Sequence, residues 1–319
     1  MIQYLSEKDV QEVLNMEILL DSTERSLRDR ALHQAIDIPR QRIYTPEGTQ
    51  HVLQASSSII GYTGFKYYYT RPTGKSFYVH LISIQSGKLE AIVEAIWLSM
   101  VRTGAASGAA TKYLAKEDAS IVGQIGSGYQ SIGQLEAVCA VRKIKEARVF
   151  SRTRDKLEAY CKKMTEKLGL PVMPAASAEA AIHGAHIVNV ITKSATPTIK
   201  GEWLEPGQHI NAAGSNALSR AEIDDATVKR CNYITVDSRG TAQKECGDLV
   251  SSFEKGVIQW DTLTEIGDIY AGKAPRRTSP TQITLYESHG MGIQDLYGAA
   301  KALELAKTRG IGTQLPVGL

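Results

Sequence analysis

Residues 121–141 constrain the fold of this chain more than any other segment. The run Ile121-Val122-Gly123-Gln124-Ile125 is apolar enough for a buried strand. It passes directly into Gly126-Ser127-Gly128-Tyr129-Gln130-Ser131, and Ile132, Leu135, Val138 and Val141 then recur at helical spacing. In such a strand, turn and helix, the first glycine permits the sharp turn and the second lets the backbone approach a pyrophosphate. The helix N-terminus adds free N–H groups and a partial positive charge. Ser131 stands where the GxGxxG pattern has its third glycine, so the loop alone is a weak signal. A turn that needs glycine only for its geometry would look the same.

The downstream pattern gives the loop its meaning. Strand-like runs at Glu146–Phe150, Ile187–Ile191, His209–Ala212, Tyr233–Val236 and Ile283–Tyr286 alternate with helical spacing, as over Thr153–Leu168. This predicts an α/β fold with a parallel, doubly wound sheet, a Rossmann domain, over 116–290. Before it, 1–115 reads differently. Ser6–His33 has helical spacing, residues 43–89 form alternating runs split by Pro-Glu-Gly and Pro-Thr-Gly turns, and Thr103–Leu114 is an alanine- and glycine-rich helix. That lobe is a mostly antiparallel sheet with helices. The tail, 291–319, carries a helix over Gln294–Thr308 that is expected to return to the first lobe.

With 319 residues, two lobes are expected, and 43% hydrophobic against 22% charged residues lies in the globular range. Lysine and arginine number 37 against 34 acids, a net +3, which is too balanced for a protein whose main partner is nucleic acid. Cys139, Cys161, Cys231 and Cys246 show no CxxC pair and no metal-type spacing, so no metal is expected and a reducing compartment is. The charged N-terminus lacks a signal-peptide core and no apolar run suits a membrane span, so a cytoplasmic protein is expected.

The end of the second Rossmann strand selects the cofactor. A carboxylate there would favour NAD by accepting hydrogen bonds from ribose hydroxyls. This chain has Ser151-Arg152-Thr153-Arg154 instead, hydroxyls and guanidiniums suited to a 2′-phosphate. NAD(P) is therefore the expected cofactor, with NADP(H) favoured over NAD.

Three further segments carry a resemblance. Arg102-Thr103-Gly104-Ala105-Ala106-Ser107, continuing to Lys112-Tyr113-Leu114-Ala115, precedes the glycine loop at a short distance. His209-Ile210-Asn211-Ala212-Ala213-Gly214-Ser215-Asn216 and Ser288-His289-Gly290-Met291-Gly292-Ile293-Gln294-Asp295 follow it, and Gly64-Phe65-Lys66 lies upstream. With the loop, they resemble the ornithine cyclodeaminase/μ-crystallin family over nearly the whole chain. The resemblance implies that 1–115 and 291–319 form a substrate-binding and dimerisation domain around a Rossmann middle. It also implies hydride transfer at the α-carbon of an amino acid, between amine and imine.

The resemblance further implies site residues. Arg102 matches the arginine that grips the substrate carboxylate, and Lys66 the lysine near the reacting nitrogen or carboxylate. An arginine before the first sheet strand is matched by Arg40 or Arg42, of which Arg42 is preferred. Thr103 and Thr192 join Gly126, Ser127, Gly128, Tyr129, Gln130, Ser151, Arg152 and Thr153 as cofactor-binding residues. Asn216 is a departure: cyclodeaminases have aspartate there, and an amide cannot serve as a base. Asp295 is read as a helix-start charge, His289 as a weaker candidate, and His209 and His80 as structural imidazoles. The expected function is an NAD(P)H-dependent oxidoreductase on a small amino acid or its imine, assembled as a homodimer. The alternatives are an ornithine cyclodeaminase that uses NAD catalytically and a non-catalytic μ-crystallin-like NADPH-binding protein.

Overall fold

The N-terminal helical stretch is two helices because Asn15 starts one of its own. After strand β1 (Ile2–Leu5), Ser6 and Asp9 form a capping box that opens α1 (Glu7–Val13). Leu14 is extended, and the Asn15 side chain accepts the Ile18 N–H to open α2 (Met16–Ala31). The single helix expected over Ser6–His33 is corrected accordingly: side-chain capping wins over a continuous apolar period. The computed structural model describes residues 1–72 and 74–316, and the chain divides into two units, Met1–Arg102 with Met291–Leu319, and Thr103–Gly290.

The first unit is built on five long strands joined by tight turns: β2 (Ala35–Thr45), β3 (Gly48–Ser57), β4 (Tyr62–Arg71), β5 (Gly74–Ser83) and β6 (Leu89–Glu94). Each pairs antiparallel with the next, β6 pairs parallel with β1, and the C-terminal strand Thr313–Leu315 closes the order beyond β1. One face of this sheet carries Leu53, Gly64, Lys66, Val79 and Val93 and is buried. The other leaves Ile36, Ile38 and Ile43 between 43% and 66% exposed.

Helix α3 (Ile96–Leu114) runs across the division between the units. The sequence ranges end the first lobe at Ala115, whereas the division falls at Arg102/Thr103. The reason lies in the second half of α3. Its last-turn carbonyls at Thr111, Lys112 and Ala115 accept from Arg142, and Thr111 Oγ1 accepts from Asn211 within the second unit.

That unit alternates strand and helix: β7 (Ile121–Ile125), α4 (Tyr129–Val141), β8 (Glu146–Phe150), α5 (Arg154–Leu168), β9 (Val172–Pro174), α6 (Ala178–Ile182), β10 (Ile187–Val190) and β11 (His209–Ala212). It continues with α7 (Asp225–Arg230), β12 (Tyr233–Val236), α8 (Arg239–Glu245), α9 (Gly247–Glu254), β13 (Thr264–Glu265), α10 (Ile266–Tyr270) and β14 (Thr284–Glu287). The eight strands are all parallel, in the order β13-β12-β14-β11-β10-β7-β8-β9. Strand order reverses between β7 and β10, and in open α/β sheets ligands bind beyond the carboxyl ends of strands at such a point. The chain then enters α11 (Gly292–Arg309), which packs on β2 to β5 in the first unit, and ends in β15 (Thr313–Leu315). Among the described residues no helix is long and apolar enough to cross a membrane.

Candidate functional site

In the first unit the chemistry collects where α11 begins on the buried face of the sheet. A Cβ on Gly292 would meet the Leu53 carbonyl carbon at 3.0 Å, so glycine lets the helix start directly on β3. The Ile293 N–H donates to Asp37 Oδ1 on β2 at 2.7 Å, which fixes that end. Asp295 in the first turn then faces β4. Its Oδ2 lies 2.8 Å from Lys66 Nζ and its Oδ1 accepts Arg102 Nε at 3.0 Å. Arg102 Nη1 donates to Gln294 Oε1 at 3.0 Å, and Lys66 Nζ to Ser99 Oγ at 3.2 Å.

Lys66 is 2% exposed, Arg102 5% and Asp295 0%, so two cations and one anion share a dry site. Charges taken from water in this way persist only when paired. Burial lowers the Lys66 ammonium to about 7, with the Arg102 charge adding to the fall and Asp295 opposing it. Burial alone would raise the Asp295 carboxyl, but Arg102 and Lys66 together hold it below its usual range. Sequence reasoning gave Asp295 a helix-start role. It does stand in the first turn of α11, and it is also the counter-ion that unites the two cations. The available signal was an acid set among Ile293, Leu296 and Tyr297, where a surface helix would bury only apolar groups.

A β-bulge separates the two arginines of β2 into different rows. The register shifts between Ile38↔Gln54 and Gln41↔Val52, so Pro39 and Arg40 lie together opposite Leu53, and Leu53 pairs with Lys66. Arg40 is thus in the Lys66 row, 8% exposed, and its charge acts on Lys66. Arg42, preferred on sequence, sits one row further along, half-buried opposite His51. That second row is aromatic: His51 stacks on Tyr68 at 4.2 Å, Tyr68 meets Phe77 at 4.4 Å, and Lys66 Nζ lies 5.5 Å and 5.7 Å from the Tyr68 and Phe77 ring centres. Burial, followed by the charges of Arg40, Arg42 and Lys66, lowers the His51 imidazole to about 3.

In the second unit the glycine turn sits at the switch point. Gly126 has φ 113°, and a Cβ there would come 2.3 Å from the Ile191 carbonyl oxygen, so only glycine fits between the ends of β7 and β10. Gly128 is the N-cap of α4 and offers no side-chain cap, while a Cβ on it would meet nothing within 4 Å. The space beside Gly128 thus lies open at the N-terminus of α4, where helices bind anions. Ser131 is buried, and its Oγ turns back to the Gly128 carbonyl.

Beside the turn, the Gly126 N–H donates to the Phe150 carbonyl at 2.8 Å, which ties the loop to the end of β8. Ser151 follows half-buried, Arg152 and Thr153 are exposed, and Thr153 starts α5 without using its hydroxyl as a cap. Among the described residues no carboxylate pairs with Arg152, whereas Arg154 pairs with Glu158 at 2.6 Å. Thr192 follows β10, and its hydroxyl accepts from Ser194 N at 3.1 Å; Thr103 accepts at its carbonyl from Gln134; Asn216 is half-buried in the loop after β11. His209 has both ring nitrogens partnered, Nδ1 with Thr284 at 2.9 Å and Nε2 with Asn211 at 3.1 Å, while His80 stacks on Phe65. The His209 contacts are those of a structural imidazole.

A parallel sheet with a glycine turn at its switch point, and a separate unit holding a buried lysine, aspartate and arginine, define a two-unit Rossmann-type α/β protein. Residues 2–308 match the profile of the ornithine cyclodeaminase/mu-crystallin family, and the chain belongs to that family. It is 36% identical over 238 residues to a Δ1-pyrroline-2-carboxylate reductase of Bacillus cereus, covering 74% of this chain and 73% of that protein. Its fold is similar to that of Thermococcus litoralis Δ1-pyrroline-2-carboxylate reductase in complex with NADH and L-proline, with TM-score 0.94, 30% identity and coverage of 98% of this chain and 100% of the other. It is also similar to an archaeal alanine dehydrogenase, a dimer with bound NAD, with TM-score 0.93, 28% identity and 99% of both chains covered.

Proposed function

We propose that this protein is an NAD(P)H-dependent oxidoreductase that interconverts a small 2-imino acid and the corresponding amino acid, with reduction of the C=N bond as its favoured direction. The carrying observation is the Lys66–Asp295–Arg102 group: a buried lysine brought near neutrality beside a guanidinium held in a fixed orientation. Arg102 uses Nε on Asp295 and Nη1 on Gln294, which orients its remaining edge for a substrate carboxylate. Arg40, in the same row, adds the second cation for that carboxylate. Lys66 Nζ delivers a proton to the imine nitrogen, and in the reverse direction takes one from the amine. Asp295 keeps Lys66 in place and supports its charged form.

The residues present fit a dinucleotide. Gly126, Ser127, Gly128, Tyr129 and Gln130 offer a pyrophosphate the N-terminus of α4, and Ser151, Arg152 and Thr153 offer a 2′-phosphate two hydroxyls and an unpaired guanidinium, so NADPH is favoured. Thr103 and Thr192 line the cofactor, and Asn216 contributes hydrogen bonds without moving protons. When bound, the nicotinamide supplies or accepts the hydride. Asparagine at 216 argues against cyclisation of ornithine, for which a base is needed at that place.

The assembly proposed is a cytoplasmic homodimer formed through the outer sheet face, whose exposed isoleucines suit burial against a second copy. The archaeal relative's dimer supports it. Light scattering that gives a monomeric mass across a dilution series refutes this part. The function is tested by screening cyclic imino acids, 2-oxo acids with ammonia or methylamine, and L-amino acids for nicotinamide absorbance change. Turnover of no imino or amino acid with either cofactor overturns it.

A further inference from the structure

Three side chains that no sequence spacing connects meet inside the second unit. Cys246 lies at the junction of α8 and α9, Glu287 ends β14, and His289 follows two positions later. Cys246 Sγ donates to Glu287 Oε2 at 3.7 Å, and His289 Nε2 lies 4.0 Å from the same oxygen. One ligand atom from each of the three falls within 4.8 Å of the others, and the residues are 0%, 1% and 4% exposed.

Their surroundings add carboxylates and no balancing cation. Asp248 Oδ1 accepts the N–H groups of Glu222 and Ile223, and Glu222 Oε1 accepts that of Thr192. Asp248 Oδ2, Glu222 Oε2 and Glu287 Oε1 are left buried with no hydrogen-bond partner. Among the described residues, no lysine or arginine forms an ion pair with any of these three acids. A buried polar atom left unpaired costs on the order of 1–3 kcal/mol, and a bound ion is one way such groups are satisfied.

We propose that Cys246, Glu287 and His289 form a binding site for a divalent cation of the zinc type. The donor set of one sulfur, one imidazole nitrogen and carboxylate oxygens suits Zn²⁺ or Co²⁺ and is too soft for Mg²⁺ or Ca²⁺. Bonds of about 2.3 Å to sulfur and about 2.0–2.1 Å to nitrogen and oxygen place tetrahedral donors about 3.3–3.7 Å apart. The 3.7 Å and 4.0 Å separations therefore need only small side-chain movements to close on an ion. An ion held by all three ties the α8–α9 corner to the end of β14. Binding releases the thiol proton and sets a cation among the buried carboxyls.

The test uses the whole protein and Co²⁺ or Zn²⁺ alone. After removal of adventitious metal with a chelator, titration with Co²⁺ is expected to give tetrahedral d–d absorption and a thiolate-to-metal charge-transfer band saturating at one ion per chain. Zn²⁺ is expected to bleach both, and to raise the thermal midpoint in proportion to its occupancy. Cys246→Ser should lose the charge-transfer band, and His289→Gln should weaken Co²⁺ affinity at least tenfold. Wild-type protein that takes up no stoichiometric Co²⁺ or Zn²⁺ overturns the proposal whatever the variants do, and leaves a cluster of protonated carboxyls. A band that persists in folded Cys246→Ser overturns it equally. Neither result touches the oxidoreductase reading, which is measured by turnover.

Discussion

The two units hold their functional groups by opposite means. In the first, the groups are side chains: Lys66 on β4, Arg102 on α3 and Asp295 on α11 meet only because three elements converge, and each charge depends on the others being present. In the second, the proposed cofactor loop is mostly backbone: Gly126 and Gly128 give space at the start of α4, fixed by neighbours in sequence. A side-chain site gains tunable charge and becomes fragile to the loss of one member. A backbone site tolerates most substitutions except those that fill its space. Mutations separate the two cases.

The largest effect is expected at the charge shared by both cations. Asp295→Ala leaves Lys66 and Arg102 buried without a counter-ion, and breaking a buried pair in this way costs about 3–5 kcal/mol. Urea denaturation is the measurement, with Asp295→Asn losing less; a variant within about 1 kcal/mol of wild type would show that water reaches the site.

Next in size, Lys66→Ala and Arg102→Ala are each expected to lower kcat/KM about 100-fold, or about 2.7 kcal/mol of transition-state stabilisation. Lys66 also sets the pH profile. With its ammonium lowered to about 7, the proton-donating form is lost as pH rises through that value, so the reductive rate falls on the alkaline side while the oxidative rate rises. Lys66→Arg should erase this limb, since guanidinium does not titrate there. An unchanged alkaline limb in the arginine variant assigns the proton to another group.

In the backbone site, Gly126→Ala places a methyl 2.3 Å from the Ile191 carbonyl oxygen at a positive φ that costs about 1–2 kcal/mol for other residues. Cofactor affinity measured by fluorescence titration should fall at least tenfold while the Lys66 group stays intact. Gly128→Ala, whose methyl meets no protein atom, should leave the fold unchanged and still lower cofactor affinity by filling the space proposed for the pyrophosphate. Full affinity in Gly128→Ala would mean that the pyrophosphate does not approach the backbone there.

Smaller still, Arg152→Asp should move the NADPH-to-NADH affinity ratio about tenfold toward NADH, about 1.4 kcal/mol, by removing a cation and adding repulsion against a 2′-phosphate. Asn216→Asp is expected to change hydride transfer only a few-fold, because the amide moves no proton; inactivation as deep as that of Arg102→Ala would reassign it to the chemistry.

What could be read from the residues alone followed local physics. The β7–α4 turn was legible because strand, glycines and helix are contiguous, and the parallel sheet because its strands alternate with helical spacing. Lys66 and Arg102 were singled out by a family resemblance in the segments around them, without any indication of how they are held. The break at Asn15 was written in a capping residue and was hidden by an apolar period that runs through it. Arg40 could not be separated from Arg42, because the bulge between Ile38 and Gln41 depends on pairing with β3 and leaves no mark in spacing. The partnership of Asp295 with residues far away in sequence was likewise a matter of tertiary structure alone. Periodicity reports which face of an element is dry, whereas the meeting of charges on that face is set by how separate elements pack, and only the folded chain contains that information.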